Sequence, residues 1–330
     1  MNIPAKFSAF RIHSDAAGYR AGVETIALED LSPGEIVIQV AHSSVNYKDA
    51  LAGTGEGKIL RRFPLNGGID VAGHVLASTD PKFKEGDAVL CTGCGLSETR
   101  DGGYSQVARL ESQWAIPLPN GLGLRESMIL GTAGFTAALA LYRMQQNGQT
   151  PEHGPIAVTG ATGGVGTLAI AIFSRAGYTV HALSGKPEHA PFLKRIGAAE
   201  VLGRDAALTA KPMDSARFGG ALDNVGGAAL AGLLAQTAPY GNVASCGLAG
   251  GHDLPSTVMP FIIRGVSLLG IASAGTARPI RESVWQHLAS DWKPEHLDAI
   301  CTREIALEQL PETFPVMLSG GSFGRTVVNL

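Results

Sequence analysis

The chain has 330 residues, of which 45% are hydrophobic and 17% charged, with a formal net charge of −3 at pH 7. That length and apolar share can fill the cores of two domains. The mild acidity and the absence of basic clusters interleaved with aromatics argue against a nucleic-acid or anionic-membrane surface as the main partner, so a small-molecule substrate is expected.

The opening Met1-Asn2-Ile3-Pro4-Ala5-Lys6 lacks the uninterrupted apolar core of a secretion signal, and no stretch has the length and character of a membrane span. A cytoplasmic protein is therefore expected. Short β-runs follow at Ala5 to Ile12, Glu24 to Leu28, Ile36 to Ala41, Val71 to Ser78, Ala88 to Thr92 and Tyr104 to Ala108. Turn clusters such as Ser32-Pro33-Gly34-Glu35 and Lys84-Glu85-Gly86-Asp87 separate them, which predicts an antiparallel β-rich domain over 1–125. Within it Cys91 and Cys94 have metal-like spacing, but two thiols without further cysteines or histidines nearby do not close a zinc site. They read as reduced thiols.

From Glu126 to Met144 apolar residues recur at helical spacing, and the small run Gly131-Thr132-Ala133-Gly134 predicts a helix that packs closely on another backbone. Strands and helices then alternate over 126–272, which predicts a doubly wound parallel α/β sheet. Its first unit is the strand Pro155-Ile156-Ala157-Val158, the loop Thr159-Gly160-Ala161-Thr162-Gly163-Gly164-Val165-Gly166, and a helix over 164–176. Such a junction offers backbone N–H groups and a helix dipole to a pyrophosphate. The pattern is Ala161-x-Gly163-x-x-Gly166, with alanine at the first glycine of the usual dinucleotide fingerprint.

The next strand, 178 to 183, ends in Ser184-Gly185-Lys186, where an NAD enzyme usually places a carboxylate for the ribose 2′-hydroxyl. A hydroxyl, a glycine amide and a cation suit a 2′-phosphate instead, and Arg204, after the short strand Glu200-Val201-Leu202, offers a second charge. NADPH is the expected cofactor; the alternative is that both cations are solvated surface residues. After a helix over 188–196, strand Gly220 to Asn224, helix 226 to 236 and strand Asn242 to Cys246 complete the pattern, and the loops Asn224-Val225-Gly226-Gly227 and Cys246 to Gly251 should border the cofactor. Strand Val266 to Ile271 lies at the far edge of this sheet, where pairing with a second copy predicts a homodimer. The tail over 273–330, with helices near 279 to 290 and 307 to 318 and a closing strand Arg325 to Asn329, is expected to return to the first domain.

Several segments resemble the medium-chain dehydrogenase/reductase superfamily, in its zinc-independent quinone oxidoreductase branch. They are Ser44 to Leu51, Gly68-Ile69-Asp70-Val71-Ala72-Gly73, Gly131 to Ala137, Ser184-Gly185-Lys186, Asp223 to Gly227 and Phe261 to Gly270. Together they resemble the subgroup of NADPH-dependent acrylyl-CoA reductases, which also holds proteins named as quinone oxidoreductases. The resemblance implies a GroES-like catalytic domain beside a Rossmann NADPH domain. It also implies cofactor contacts at Tyr47, Thr162, Gly163, Gly164, Val165, Ser184, Gly185, Lys186, Arg204, Asn224, Leu248, Ile262 and Ser273, with plain core packing as the alternative for Ile262. Lys186 departs from the arginine of the subgroup, keeping the charge and changing the phosphate geometry. Zinc-dependent relatives carry Cys, His and Cys at positions that correspond here to Asn46, Ile69 and Thr132, so no metal is expected.

Conjugate reduction of an activated double bond needs a positioned hydride and a polarised carbonyl, which suits such a site better than alcohol oxidation. The resemblance implies reduction of a short 2-enoyl-CoA, with acrylyl-CoA giving propanoyl-CoA. Reduction of quinones, enals or enones is the alternative, and a non-catalytic NADPH-binding protein the third reading. Tyr47 is the first catalytic candidate, either donating a proton or shaping the pocket. Asn46 either orients the cofactor or substrate carbonyl or caps its loop, and Lys48 and Asp49 read as a local structural ion pair. Lys58, Arg61 and Arg62 form a basic group that either meets CoA phosphates or stays solvated.

Overall fold

A hairpin opens the fold, with Phe7–Asp15 and Gly18–Ile26 paired antiparallel from Phe7 opposite Ile26 to Asp15 opposite Gly18. In this computed structural model residues 3–330 are described; Met1 and Asn2, part of the stretch read against a secretion signal, lie outside them. Phe7–Asp15 also pairs with Leu65–Asn66, making a three-stranded sheet. A larger sheet runs in the order Cys301–Ile305, Arg325–Asn329, Ile36–Ser44, Asp70–Ser78, Ala88–Thr92 and Ile116–Pro117, with Val107–Leu110 also paired to Ile36–Ser44. Between the sheets Phe10, Tyr104 and Phe314 form one aromatic cluster, Tyr104 stacked on Phe314 with centroids 6.5 Å apart. These elements belong to a unit made of residues up to Thr132, Ala274–Glu282 and Cys301–Leu330.

A second unit, Ala133–Ser273 with Ser283–Ile300, is built on six parallel strands. From edge to edge they are Glu200–Gly203, Val180–Ser184, Ile156–Val158, Gly220–Asp223, Asn242–Ser245 and Ser267–Gly270. Numbered along the chain this is the order 3-2-1-4-5-6 of a Rossmann sheet. The three residues of Ile156–Val158 are fully buried at its centre, which is why that strand reads as an unbroken apolar run.

Four features differ from the sequence reading. The helix expected as continuous over Glu126 to Met144 is a helical run Leu124–Gln146 broken at Gly131, where φ is 50° and ψ −155°. A Cβ there would lie 2.5 Å from Asp70 Oδ2, so glycine is required both by the backbone and by the space. The tail does not return whole: Ser283–Ile300 joins the second unit, with Trp285 fully buried and stacked on Phe135 at 6.1 Å. A strand not expected from the sequence, Cys301–Ile305, pairs parallel with Arg325–Asn329. The β-run placed at Tyr104 to Ala108 is Val107–Leu110, because Tyr104 instead turns its ring into the core and donates its hydroxyl to Ser44 O at 3.1 Å.

Candidate functional site

The second unit carries a dinucleotide cradle. Its glycine loop turns from Val158 into the helix Gly164–Arg175, whose N-cap, Gly163, has no side chain to occupy the first-turn amides. Those amides are the natural donors to a pyrophosphate. A Cβ on Gly166 would lie 2.3 Å from Gly160 O, so this glycine allows the helix to approach the turn behind the phosphate site. Thr162 is buried, while Gly163 is exposed and Gly164 and Val165 partly so.

Parallel pairing of Val180–Ser184 with Glu200–Gly203 sets Ser184 opposite Gly203 and brings Arg204 over Gly185. The Arg204 Cδ lies 3.3 Å from where a Gly185 Cβ would stand, and its guanidinium is extended into solvent, its nearest acid Asp205 at 3.9 Å. The Ser184 hydroxyl accepts from the Lys186 N–H at 3.0 Å. Ser184, Gly185, Lys186 and Arg204 thus lie together at the carboxyl ends of adjacent strands.

Across the sheet Asn224 Nδ2 donates to Thr159 O at 2.7 Å, tying the Asn224 turn to the glycine loop. Buried Asp223 shapes that turn by accepting from Thr159 Oγ1 at 2.7 Å and Gly226 N at 2.7 Å, and its burial raises its carboxyl above the usual range. Beside it a cavity of about 310 Å³ is lined by Gly226, Gly227, Cys246, Leu248, His252 and Ile271. Burial and the Asp223 charge push the Cys246 thiol up to about 12, leaving it inert. Leu248 stands 68% exposed at this rim. Ser273 is tied to Thr136, whose hydroxyl donates to Ser273 Oγ at 2.8 Å. Ile262 is 76% exposed on the helix Met259–Arg264 that precedes the outermost strand, so the alternative of core packing does not hold.

In the first unit the helix Tyr47–Thr54 begins at Asn46. Asp49 Oδ2 accepts the Asn46 N–H at 2.9 Å, the reciprocal half of a capping box. The Asn46 carboxamide is almost fully committed: Nδ2 donates to Asp49 Oδ2 at 3.1 Å and Asp70 Oδ2 at 2.8 Å, and Oδ1 accepts from the Arg325 guanidinium at 3.2 Å. Both amide hydrogens are thus spent on carboxylates of the first unit, and the carboxamide makes no side-chain bond to the first-turn amides. The adjacent Tyr47 differs. It is 52% exposed, and its hydroxyl makes no hydrogen bond among the described residues.

Behind this turn lies a network that sequence reasoning missed. Asp70, fully buried, also accepts from Ser44 Oγ at 2.6 Å, Thr132 Oγ1 at 2.6 Å and Thr132 N at 3.0 Å. It therefore holds the chain where it turns beyond Gly131. Arg325 reaches Ile129 O, Val45 O and Ser44 Oγ, with a guanidinium nitrogen 4.0 Å from Asp70. The expected Lys48–Asp49 pair does not form: Lys48 meets Glu98 at 2.5 Å, and Asp49 turns inward to accept from Ile69 N at 2.9 Å. Burial, then the Asp70 charge, push the Asp49 carboxyl up to about 7, while burial lowers Arg325. The Asn46-x-x-Asp49 spacing of a capping box was a readable signal; the lone arginine opening the apolar strand Arg325–Asn329 was another.

The positions that bear zinc ligands in zinc-dependent relatives do not fit a metal. Ile69 is hydrocarbon, the Thr132 hydroxyl donates to Asp70, and the Asn46 carboxamide is held as described. Among the described residues no group of three or more His, Cys, Asp or Glu could hold an ion. The hydrogen bond of Cys91 with Cys94, and then its burial, raise its thiol well above the usual range.

The alcohol dehydrogenase GroES-like domain family matches residues 32–120, and the zinc-binding dehydrogenase family matches residues 164–290. With the Rossmann order and the glycine cradle, these matches and close relatives over nearly the whole length define the class: the chain belongs to the medium-chain dehydrogenase/reductase superfamily. Within it, the chain is 45% identical to Bacillus subtilis YhfP, named as a quinone oxidoreductase, over 98% of this chain and 99% of that protein. It is 43% identical to the acrylyl-CoA reductase AcuI of Ruegeria pomeroyi over 94% of each. The crystal structure of the Salmonella enterica yhdH oxidoreductase in complex with NADP superposes with a TM-score of 0.94 at 42% identity, covering 98% of this chain and 99% of that one. The B. subtilis yhfP structure with NAD bound superposes at 0.96 with 44% identity, over 99% of this chain and all of that one.

Proposed function

We propose that this oxidoreductase reduces the C=C bond of a short 2-enoyl-CoA, with acrylyl-CoA, NADPH and a proton giving propanoyl-CoA and NADP⁺. The cofactor is NADPH, in keeping with the carboxylate-free cradle of Ser184, Gly185, Lys186 and Arg204. The chemistry the dinucleotide supplies when bound is hydride donation to the β-carbon. The amides of Gly164 and Val165 would hold its pyrophosphate, and Lys186 and Arg204 its 2′-phosphate.

One observation carries the reading: among the described residues the Tyr47 phenol is exposed and uncommitted, beside a carboxamide whose two amide hydrogens are spent and at a position with no metal-ligating set. Tyr47 is left to donate to the thioester oxygen as enolate character develops, or to deliver the α-proton. Asn46 and Asp49 fix the start of its helix. Quinone or enone reduction is the second reading, favoured by the name of the B. subtilis relative.

NADPH consumption with acrylyl-CoA, crotonyl-CoA, a simple quinone and free acrylate separates the two, with NADH and a chelator as controls. Chelator-insensitive turnover of acrylyl-CoA is the expected result; turnover of quinone alone establishes the second reading. NADPH binding without any turnover would leave a non-catalytic protein. Tyr47→Phe is expected to lower kcat about 100-fold or more with NADPH affinity little changed. An undiminished kcat would remove Tyr47 from the chemistry.

The same proposal includes a cytoplasmic homodimer. No helix among the described residues is long and apolar enough to cross a membrane. The outermost strand Ser267–Gly270 has a free edge, and Leu268, Ile262, Ile263 and Val258 around it are exposed, a combination that favours pairing with a second copy.

A further inference from the structure

We propose that the exposed surface at the carboxyl end of the helix Tyr47–Thr54 is a docking platform for the adenine ring and phosphates of coenzyme A, built from Tyr19, Phe63, Lys58 and Arg61. It rests on the acyl-CoA reading above and gives the carrier half of that substrate its own contacts.

Two aromatic rings are presented to solvent together. Tyr19 and Phe63 meet edge to face with centroids 5.8 Å apart, and each is 39% exposed. Tyr19 is locked, since its hydroxyl donates to Ala52 O and its ring packs against Gly55, where a Cβ would come within 2.9 Å. The platform is thus rigid before any ligand arrives, which lowers the entropic cost of stacking a purine on it.

Unspent positive charge lies on the segment that leads to Phe63, with Lys58 five residues and Arg61 two residues before it. Arg62 is committed to Ser32 Oγ, itself bonded to Asp101 Oδ2 at 2.6 Å, and Lys48 is satisfied by Glu98. Lys58 and Arg61 are exposed and, among the described residues, neither side chain has a hydrogen-bond or ion-pair partner. An aromatic platform flanked by two free cations is the chemistry that recognises a nucleotide: stacking for the base, charge-assisted hydrogen bonds for the phosphates. Tyr47 starts the helix whose far end Tyr19, from the strand Gly18–Ile26, packs against, and eight helical residues span about 12 Å. A pantetheine arm is long enough to run that distance, so a thioester at Tyr47 leaves the nucleotide within reach of the platform.

The test compares wild type with Lys58→Ala/Arg61→Ala, two exposed side chains whose loss removes no packing, and with Phe63→Leu. KM and kcat are measured for acrylyl-CoA and for S-acrylyl-pantetheine, which lacks the nucleotide, and free CoA binding is followed by calorimetry. The double variant is expected to raise the KM for acrylyl-CoA about tenfold and to erase its advantage over acrylyl-pantetheine. Phe63→Leu is expected to weaken CoA binding severalfold. An unchanged KM ratio and unchanged CoA affinity in both variants overturns the platform while leaving the acyl-CoA activity standing. If wild type turns over no acyl-CoA the functional reading fails, and the calorimetry still decides the platform: CoA binding abolished by the double variant supports it, and no binding by wild type overturns it.

Discussion

In the proposed function Arg204 and Lys186 read the 2′-phosphate through charge, and Arg204 is 82% exposed, so water screens it. Replacing either by alanine is expected to raise the KM for NADPH about tenfold and leave that for NADH nearly unchanged. Equal losses for both cofactors would mean that these cations do not read the 2′-phosphate. Asp49 gives a pH signature. Its folded value of about 7 stands above the ordinary aspartate value, so the folded state keeps this proton to higher pH than the unfolded chain. The stability it contributes is full below the unfolded value and is lost as pH rises toward and through 7. Urea unfolding of wild type relative to Asp49→Asn is therefore expected to show the wild-type margin falling from pH 5 to pH 8, and a margin that grows would contradict the assignment.

At the scale of elements, the Arg325–Asp70 network ties the last strand, the Asn46 cap and the break in Leu124–Gln146 together. Arg325→Met removes the cation while Asp70 stays buried, and is expected to cost about 3–5 kcal/mol in denaturant unfolding. Gly131→Ala forces a Cβ onto Asp70 at a φ of 50° and is expected to cost about 3 kcal/mol or more. A loss below about 1 kcal/mol in both would show the network to be dispensable. The sequence pattern marked Gly131 as one of four small residues in a helix, since helical spacing continues on both sides of it. The break was invisible there because its cause, a buried carboxylate accepting the Thr132 amide, comes from a residue 62 positions earlier.

For the whole molecule, two units with separate cores predict two calorimetric transitions, of which NADPH raises the one belonging to the Rossmann unit. At about 100 times its Kd the cofactor adds about 2.7 kcal/mol to that unit, and an equal shift of both transitions would indicate a single cooperative body. Light scattering is expected to report twice the monomer mass of 34.2 kDa, with Leu268→Lys reducing it to one; a monomeric wild type would remove the proposed pairing of edge strands.

The amino-acid sequence by itself determined the Rossmann half and its nicotinamide dinucleotide cofactor. Strand, glycine turn, helix and the Ser184-Gly185-Lys186 strand end are contiguous, and hydrophobic period and glycine placement are local signals. Only the tertiary structure decided that both Asn46 amide hydrogens go to carboxylates, that Asp49 turns inward rather than to Lys48, that Ser283–Ile300 packs with the second unit, and that the Tyr47 hydroxyl has no partner among the described residues. Each outcome depends on partners far away in the chain, Arg325 lying 279 residues from Asn46. A buried polar group is committed or free according to its neighbours in space, and no periodicity along the chain records them.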